Sequence, residues 1–167
     1  ARKLAKVTCE MGGKNPLVVM PSADLEKAAK AVTAGCFGST GQRCTATSRL
    51  LVHRSVKAEL LERLIAAADS MKVGNGLEPG VMQGPLIDAA ALAKVEQHVA
   101  DAIAQGATVL TGGQRHALGG TFYEPTVLAD ATPAMLVARE ETFGPVAPLF
   151  RFQTDAEAIQ WANATEF

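Results

Sequence analysis

A thiol, a carboxylate, and a second carboxylate beside an aromatic ring stand along this chain in settings that suit covalent catalysis. Cys44 closes the run Phe37-Gly38-Ser39-Thr40-Gly41-Gln42-Arg43-Cys44, at the end of a Gly/Ser/Thr loop and next to a cation. The thiolate is the reactive form of cysteine, and a neighbouring positive charge or helix N-terminus favours it. Gly-rich backbone also lets amide N–H groups approach an oxyanion forming on a substrate. Glu10 precedes a Gly-Gly turn in Glu10-Met11-Gly12-Gly13-Lys14-Asn15-Pro16. Glu141 and Phe143 precede a Gly-Pro turn in Glu140-Glu141-Thr142-Phe143-Gly144-Pro145. A carboxylate ordinarily titrates near ~4, so one that acts as a base at neutral pH needs a buried setting. Lys14 reads as a solvated surface lysine.

The elements that must position these groups alternate between short apolar runs and amphipathic stretches, the pattern of an α/β fold. Leu17 to Met20 reads as a buried strand between two prolines. Ser22 or Asp24 can cap a helix that carries Leu25, Ala28, Ala29 and Val32 on one face and ends near Gly35 to Gly38. Leu50 to His53 reads as a strand and Val56 to Met71 as a helix. Gly74 to Pro85 reads as a loop. A helix opens at Asp88 and stops at Gly106. Strands follow at Ala107 to Leu110 and Thr126 to Leu128, then a short helical turn at Met135 to Ala138. A strand from Val146 to Phe152 is interrupted by Pro148, and a last helix spans Asp155 to Asn163. This alternation predicts a mostly parallel sheet covered on both faces.

Composition narrows the function classes. The 167 residues are 48% apolar and 20% charged, ordinary for one globular domain. A net charge of −1, one Trp and one Tyr leave neither a basic stripe nor stacking rings for nucleic acid. No apolar run approaches the ~20 residues of a membrane span. Three widely spaced cysteines suggest no disulfide framework, which points to a reducing, cytoplasmic setting. His53, His98 and His116 lack metal-ligand spacing, so no metal site is expected.

Taken together, in this order and spacing, the blocks around Glu10, Cys44 and Glu141 resemble the aldehyde dehydrogenase superfamily. The likeness continues through Gly84-Pro85-Leu86-Ile87, Glu124-Pro125-Thr126 and Asn163-Ala164-Thr165-Glu166-Phe167. It therefore covers residues 1–167, read as a partial catalytic domain of three-layer αβα type with a mostly parallel sheet. Because Ala1 is not an initiator methionine, the chain reads as an internal piece. The family's nucleotide-binding region, with its glycine-rich motif and an oxyanion-hole asparagine, is expected upstream, and the end of the catalytic domain downstream. The isolated piece is therefore expected to be inactive.

The resemblance implies a role for each site residue. Cys44 is the nucleophile, and its backbone N–H is half of the oxyanion hole. Glu10 is the general base that activates water to hydrolyse a thioester. Relatives that pass the acyl group to coenzyme A generally lack this glutamate, so its presence favours release of a free acid. Glu141 accepts hydrogen bonds from the nicotinamide ribose, and Phe143 packs near it. Gly12 and Gly13 shape the turn that presents Glu10. Cys9 and Cys36 match no catalytic position. The implied cofactor is NAD or NADP, the partner a small-molecule aldehyde, and the full-length protein a homo-oligomer.

The segments Glu140 to Phe152 and Gly120-Thr121-Phe122 look most like the succinate-semialdehyde group. Gly41 to Arg49 looks more like enzymes of 2-oxoglutarate semialdehyde. The arginine that the former group often carries six residues before the nucleophile is Gly38 here, and the second cysteine that some carry is Ala46. Arg43 either supplies a cation for a carboxylated substrate or points away from the pocket. Two other readings stay open: a non-catalytic truncated paralogue acting as an interaction module, and a thiol hydrolase that uses no nicotinamide.

Overall fold

A computed structural model describes residues 6–167. Five strands form one sheet in the order β1 (Asn15–Val19), β2 (Thr47–His53), β5 (Val146–Phe152), β4 (Thr126–Ala129), β3 (Thr108–Thr111). The pairs β1–β2, β2–β5 and β4–β5 are parallel, and only edge strand β3 runs antiparallel to β4. The α/β architecture with a mostly parallel sheet is as the sequence pattern predicts.

Helices cover both faces because strand side chains alternate in direction. Leu50, Val52 and Leu149 join one core with Val32 and Phe37 of α1 (Leu25–Phe37) and Leu60 and Leu64 of α2 (Lys57–Asp69). Leu51, Phe150 and Phe152 join the other with Val95 and Val99 of α3 (Ala89–Ala104) and Val137 of α4 (Leu136–Arg139). Ala158 of α5 (Asp155–Asn163) belongs to this second core. These apolar side chains supply most of the driving force, at about 25 cal/mol per Å² of apolar surface buried.

Local chemistry sets the boundaries. Of the two candidate caps for α1, Asp24 does the work, accepting from the Glu26 and Lys27 N–H groups at 3.1 Å each. Asp88 caps α3 through the Ala91 N–H at 2.7 Å. Thr154 and Glu157 form a capping box on α5.

Two expectations change. Strand β5 is not interrupted by Pro148, which lies in register opposite Leu128 of β4. The ladder from β5 to β2 begins only at Leu149, one residue later, so the proline costs little pairing on that side. Lys14 is not on the surface: only 2% of it is exposed. Among the described residues, no helix is long and apolar enough to cross a membrane.

Candidate active site

The candidate residues sit just before the amino ends of three adjacent parallel strands. Glu10 precedes β1, Cys44 precedes β2, and Glu141 and Phe143 precede β5. Open α/β sheets more often bind ligands outside the carboxyl ends of their strands. Here sheet order makes the three loops neighbours, and all four residues line one cleft of about 550 Å³.

The Cys44 loop departs from α1 through a left-handed turn, with φ of 53° at Ser39, 59° at Thr40 and 68° at Gly41. Side chains in this region cost energy, so the turn needs outside support. Thr40 Oγ1 donates to the Gly84 carbonyl at 3.2 Å. The Gln42 side chain donates to the Pro85 carbonyl at 3.3 Å and accepts from the Ile87 N–H at 2.8 Å. A Cβ on Gly41 would overlap the Gly144 carbonyl, so the Cys44 and Glu141 loops meet backbone to backbone.

The turn after Glu10 packs as closely. A Cβ on Gly13 would overlap the Cys44 carbonyl. Asn15 Nδ2 donates to that same carbonyl at 2.6 Å and to the Ala46 carbonyl at 3.1 Å. The Gly13 N–H donates to Glu141 Oε1 at 3.2 Å. The Gly-Gly turn, the thiol loop and the Glu141 loop thus form one connected unit. Cys44 and Glu10 are both exposed to the cleft. The burial expected around Glu10 is not supplied by these residues, because the turn that carries it lies at the rim. Cys36 is fully buried and its thiol is pushed up to about 12, which leaves it protonated and inert. Cys9 is exposed and lies outside the cleft lining.

Arg43 lines the cleft but its head group is engaged elsewhere. Its Nη2 donates to the Ala34 carbonyl near the end of α1 at 3.1 Å and lies over Gly38. A cation there complements the negative end of the helix dipole.

Glu141 and Phe143 are the cleft residues that could hold a ribose diol. One oxygen of Glu141 is held by the Gly13 N–H, which fixes the carboxylate plane while its second oxygen keeps free lone pairs for a diol. Phe143 adds an apolar surface beside it. The residues that sequence reasoning passed over are Asn15, Thr40 and Gln42, which anchor the thiol loop. Their only signal is polar side chains flanking glycines, which many turns share.

Residues 1–167 match the model of the aldehyde dehydrogenase family. The chain is 48% identical over 167 residues to the 3-sulfolactaldehyde dehydrogenase of Pseudomonas putida, covering 100% of this chain and 34% of that protein. It is 46% identical over 167 residues to the NADP(+) succinate-semialdehyde dehydrogenase of Escherichia coli, covering 100% and 35%. Among solved structures, succinate-semialdehyde dehydrogenase from Burkholderia pseudomallei superposes with a TM-score of 0.95 at 49% identity, over 98% of this chain and 34% of that one. A 3,6-anhydro-L-galactose dehydrogenase in complex with NAP superposes with a TM-score of 0.90 at 39% identity, over 94% and 34%. The chain spans about a third of the length of the curated relatives it matches.

Proposed function

The chain belongs to the aldehyde dehydrogenase family, and on that premise we propose that it carries the thiol, base and ribose-binding part of a site that oxidises a small semialdehyde to a carboxylic acid. The reading rests on one observation: Cys44, Glu10, Glu141 and Phe143, from three separate stretches, line a single cleft.

The Cys44 thiolate attacks the aldehyde carbon, a C–S bond forms, and the carbonyl oxygen becomes an oxyanion that the Cys44 N–H can stabilise. Glu141 and Phe143 would hold NAD or NADP, which when bound would supply the acceptor for the hydride lost from that carbon. A thioester then remains on Cys44. Glu10 takes a proton from water, the hydroxide adds to the thioester carbon, and the C–S bond breaks. The acid leaves and the thiolate is restored. The semialdehyde class comes from the relatives, because Arg43 is occupied at the end of α1. A cytoplasmic homo-oligomer completes the reading. The isolated 167-residue chain is expected to be inactive, since loss of one oxyanion donor alone costs ~10²–10³ in rate.

The test is nicotinamide reduction by the natural-length gene product, followed by absorbance over a panel of semialdehydes, beside a Cys44→Ala control. Turnover that disappears in the control supports the dehydrogenase reading. A folded natural-length protein with no turnover on any substrate refutes it and favours the non-catalytic interaction module.

A further inference from the structure

Phe143 is a bulky residue with φ of 56°, in the left-handed region that side chains avoid. A conformation of this kind persists only where its surroundings hold it. Here both chain neighbours of Phe143 are held by one face of α3. On one side, a Cβ on Gly144 would overlap the Val95 side chain, so the backbone lies directly on the helix. On the other side, the Thr142 hydroxyl meets His98 Nδ1 at 3.1 Å. Both partners are buried, His98 at 1% exposure and Thr142 at 6%. Val95 and His98 are three apart on the helix, hence on the same face.

The chemistry of the imidazole fixes the direction of that hydrogen bond. Burial holds His98 below its usual range, and Lys14 and Lys94 press it further, against the opposing pull of Glu140 and Asp101. The ring is therefore neutral at neutral pH, and one nitrogen must accept. Nε2 lies 3.6 Å from Glu140 Oε2, beyond a hydrogen bond but within the field of that carboxylate. The proton belongs on Nε2, and Nδ1 accepts from the Thr142 hydroxyl. The Glu140 contact is then not an ion pair. Lys14 is buried, its charge opposes protonation of His98, and the Glu141 carboxylate favours the protonated form of the lysine.

We propose that His98 is a positioning residue for dinucleotide binding: by holding Thr142, with Val95 under Gly144, it keeps Phe143 in its left-handed conformation and aims Glu141 into the cleft. The inference rests on the ribose-clamp reading of Glu141 and Phe143. His98 itself does not touch the cofactor. It acts through Thr142 at one end of a short loop whose other end rests on Val95, and the Gly13 N–H also holds Glu141.

The experiment is isothermal titration calorimetry of the dinucleotide against the natural-length protein. The variants are His98→Leu, Thr142→Val, the double variant, His98→Asn and Glu141→Gln. Each of the first two should raise Kd about five- to tenfold, the value of one buried hydrogen bond. The double variant should match the worse single variant, because both remove the same contact. His98→Asn, whose amide oxygen can accept where Nδ1 does, should recover to within about twofold of the parent. The rate of Cys44 alkylation by iodoacetamide without dinucleotide should stay at the parent value in the His98 and Thr142 variants. Parent-like Kd in Thr142→Val, or fully additive losses, overturns the positioning role. If His98→Leu fails to fold, Thr142→Val and His98→Asn decide the question. A Glu141→Gln protein with unchanged Kd removes the clamp reading, and this proposal with it. Weakened binding in Glu141→Gln beside parent-like His98 and Thr142 variants removes this proposal alone.

Discussion

The backbone N–H of Gly13 donates to Glu141 Oε1 at 3.2 Å, joining the turn after the proposed base to the residue proposed to hold the ribose. The same glycine lies directly against the Cys44 carbonyl. One residue without a side chain thus sets the spacing of thiol, base and clamp. Gly13→Ala puts a methyl group where that carbonyl stands, and the loops must part. A displacement near 1 Å at a reacting centre costs about 10²-fold. The expected result is a drop of that size in kcat/KM for aldehyde, with a thermal midpoint lowered by only a few degrees. Parent-like kinetics would mean that the loops tolerate separation.

Glu10→Gln separates the two halves of the proposed reaction. The glutamine cannot take a proton from water, but it leaves thiol attack and hydride loss intact. A rapid burst of about one equivalent of reduced nicotinamide per active site should appear, followed by a steady rate lowered ~10²–10⁴-fold. Stopped-flow absorbance reads both phases. A variant with neither burst nor turnover would place Glu10 before thioester formation instead.

Arg49 holds the last helix to the sheet. The residue is 4% exposed, and its guanidinium donates from Nε to the Lys14 carbonyl at 2.9 Å. Nη1 and Nη2 donate to the Trp161, Ala164 and Ala162 carbonyls at 2.7, 3.3 and 3.0 Å. The Trp161 and Ala162 carbonyls belong to the last turn of α5 and the Ala164 carbonyl lies just beyond it, and α5 has no basic residue of its own in that turn. Arg49→Met removes these donors, the one on the buried Lys14 carbonyl included, and should cost about 1–3 kcal/mol. Arg49→Lys should recover only part, because one ammonium cannot reproduce a planar fork. Urea unfolding of the natural-length protein measures both, and an Arg49→Lys protein as stable as the parent would contradict the fork argument.

The periodic parts of this fold were readable because burial is local in its signature. The run Val146 to Phe152 and the stretch Asp155 to Asn163 match β5 and α5 residue for residue. The order of strands was not readable, and with it went everything that depends on which loops are neighbours. Thr142 and His98 are 44 positions apart, and their contact leaves no mark on either segment. Lys14 reads as a surface lysine because nothing nearby in sequence marks its position as buried. Arg43 sits beside the nucleophile in sequence, yet its long side chain turns back to α1. Residue types and family likeness named the chemistry, whereas the direction of each side chain came only from the packing.

Lys14 supplies the last prediction. Its Nζ is buried with no hydrogen-bond partner among the described residues. Burial first, then the Arg49 cation, bring it down from 10.5 to about 7, against the opposing pull of Glu141. Between pH 7 and pH 10.5 the unfolded chain therefore carries a proton that the folded chain lacks. Stability contributed at this site rises with pH across that window, and the cost of burying the amine is felt in full below it. Lys14→Met keeps much of the volume and removes the charge. It should stabilise the natural-length protein by up to several kcal/mol near neutral pH. The gain should shrink as pH rises from 7 toward 10.5, above which the parent lysine is uncharged in both states. Urea midpoints of parent and variant at about pH 6.5 and about pH 9.5 test this. A gap that does not change with pH would show that Met acts through packing alone, and a less stable Lys14→Met protein at the lower pH would mean that the amine finds a partner after all.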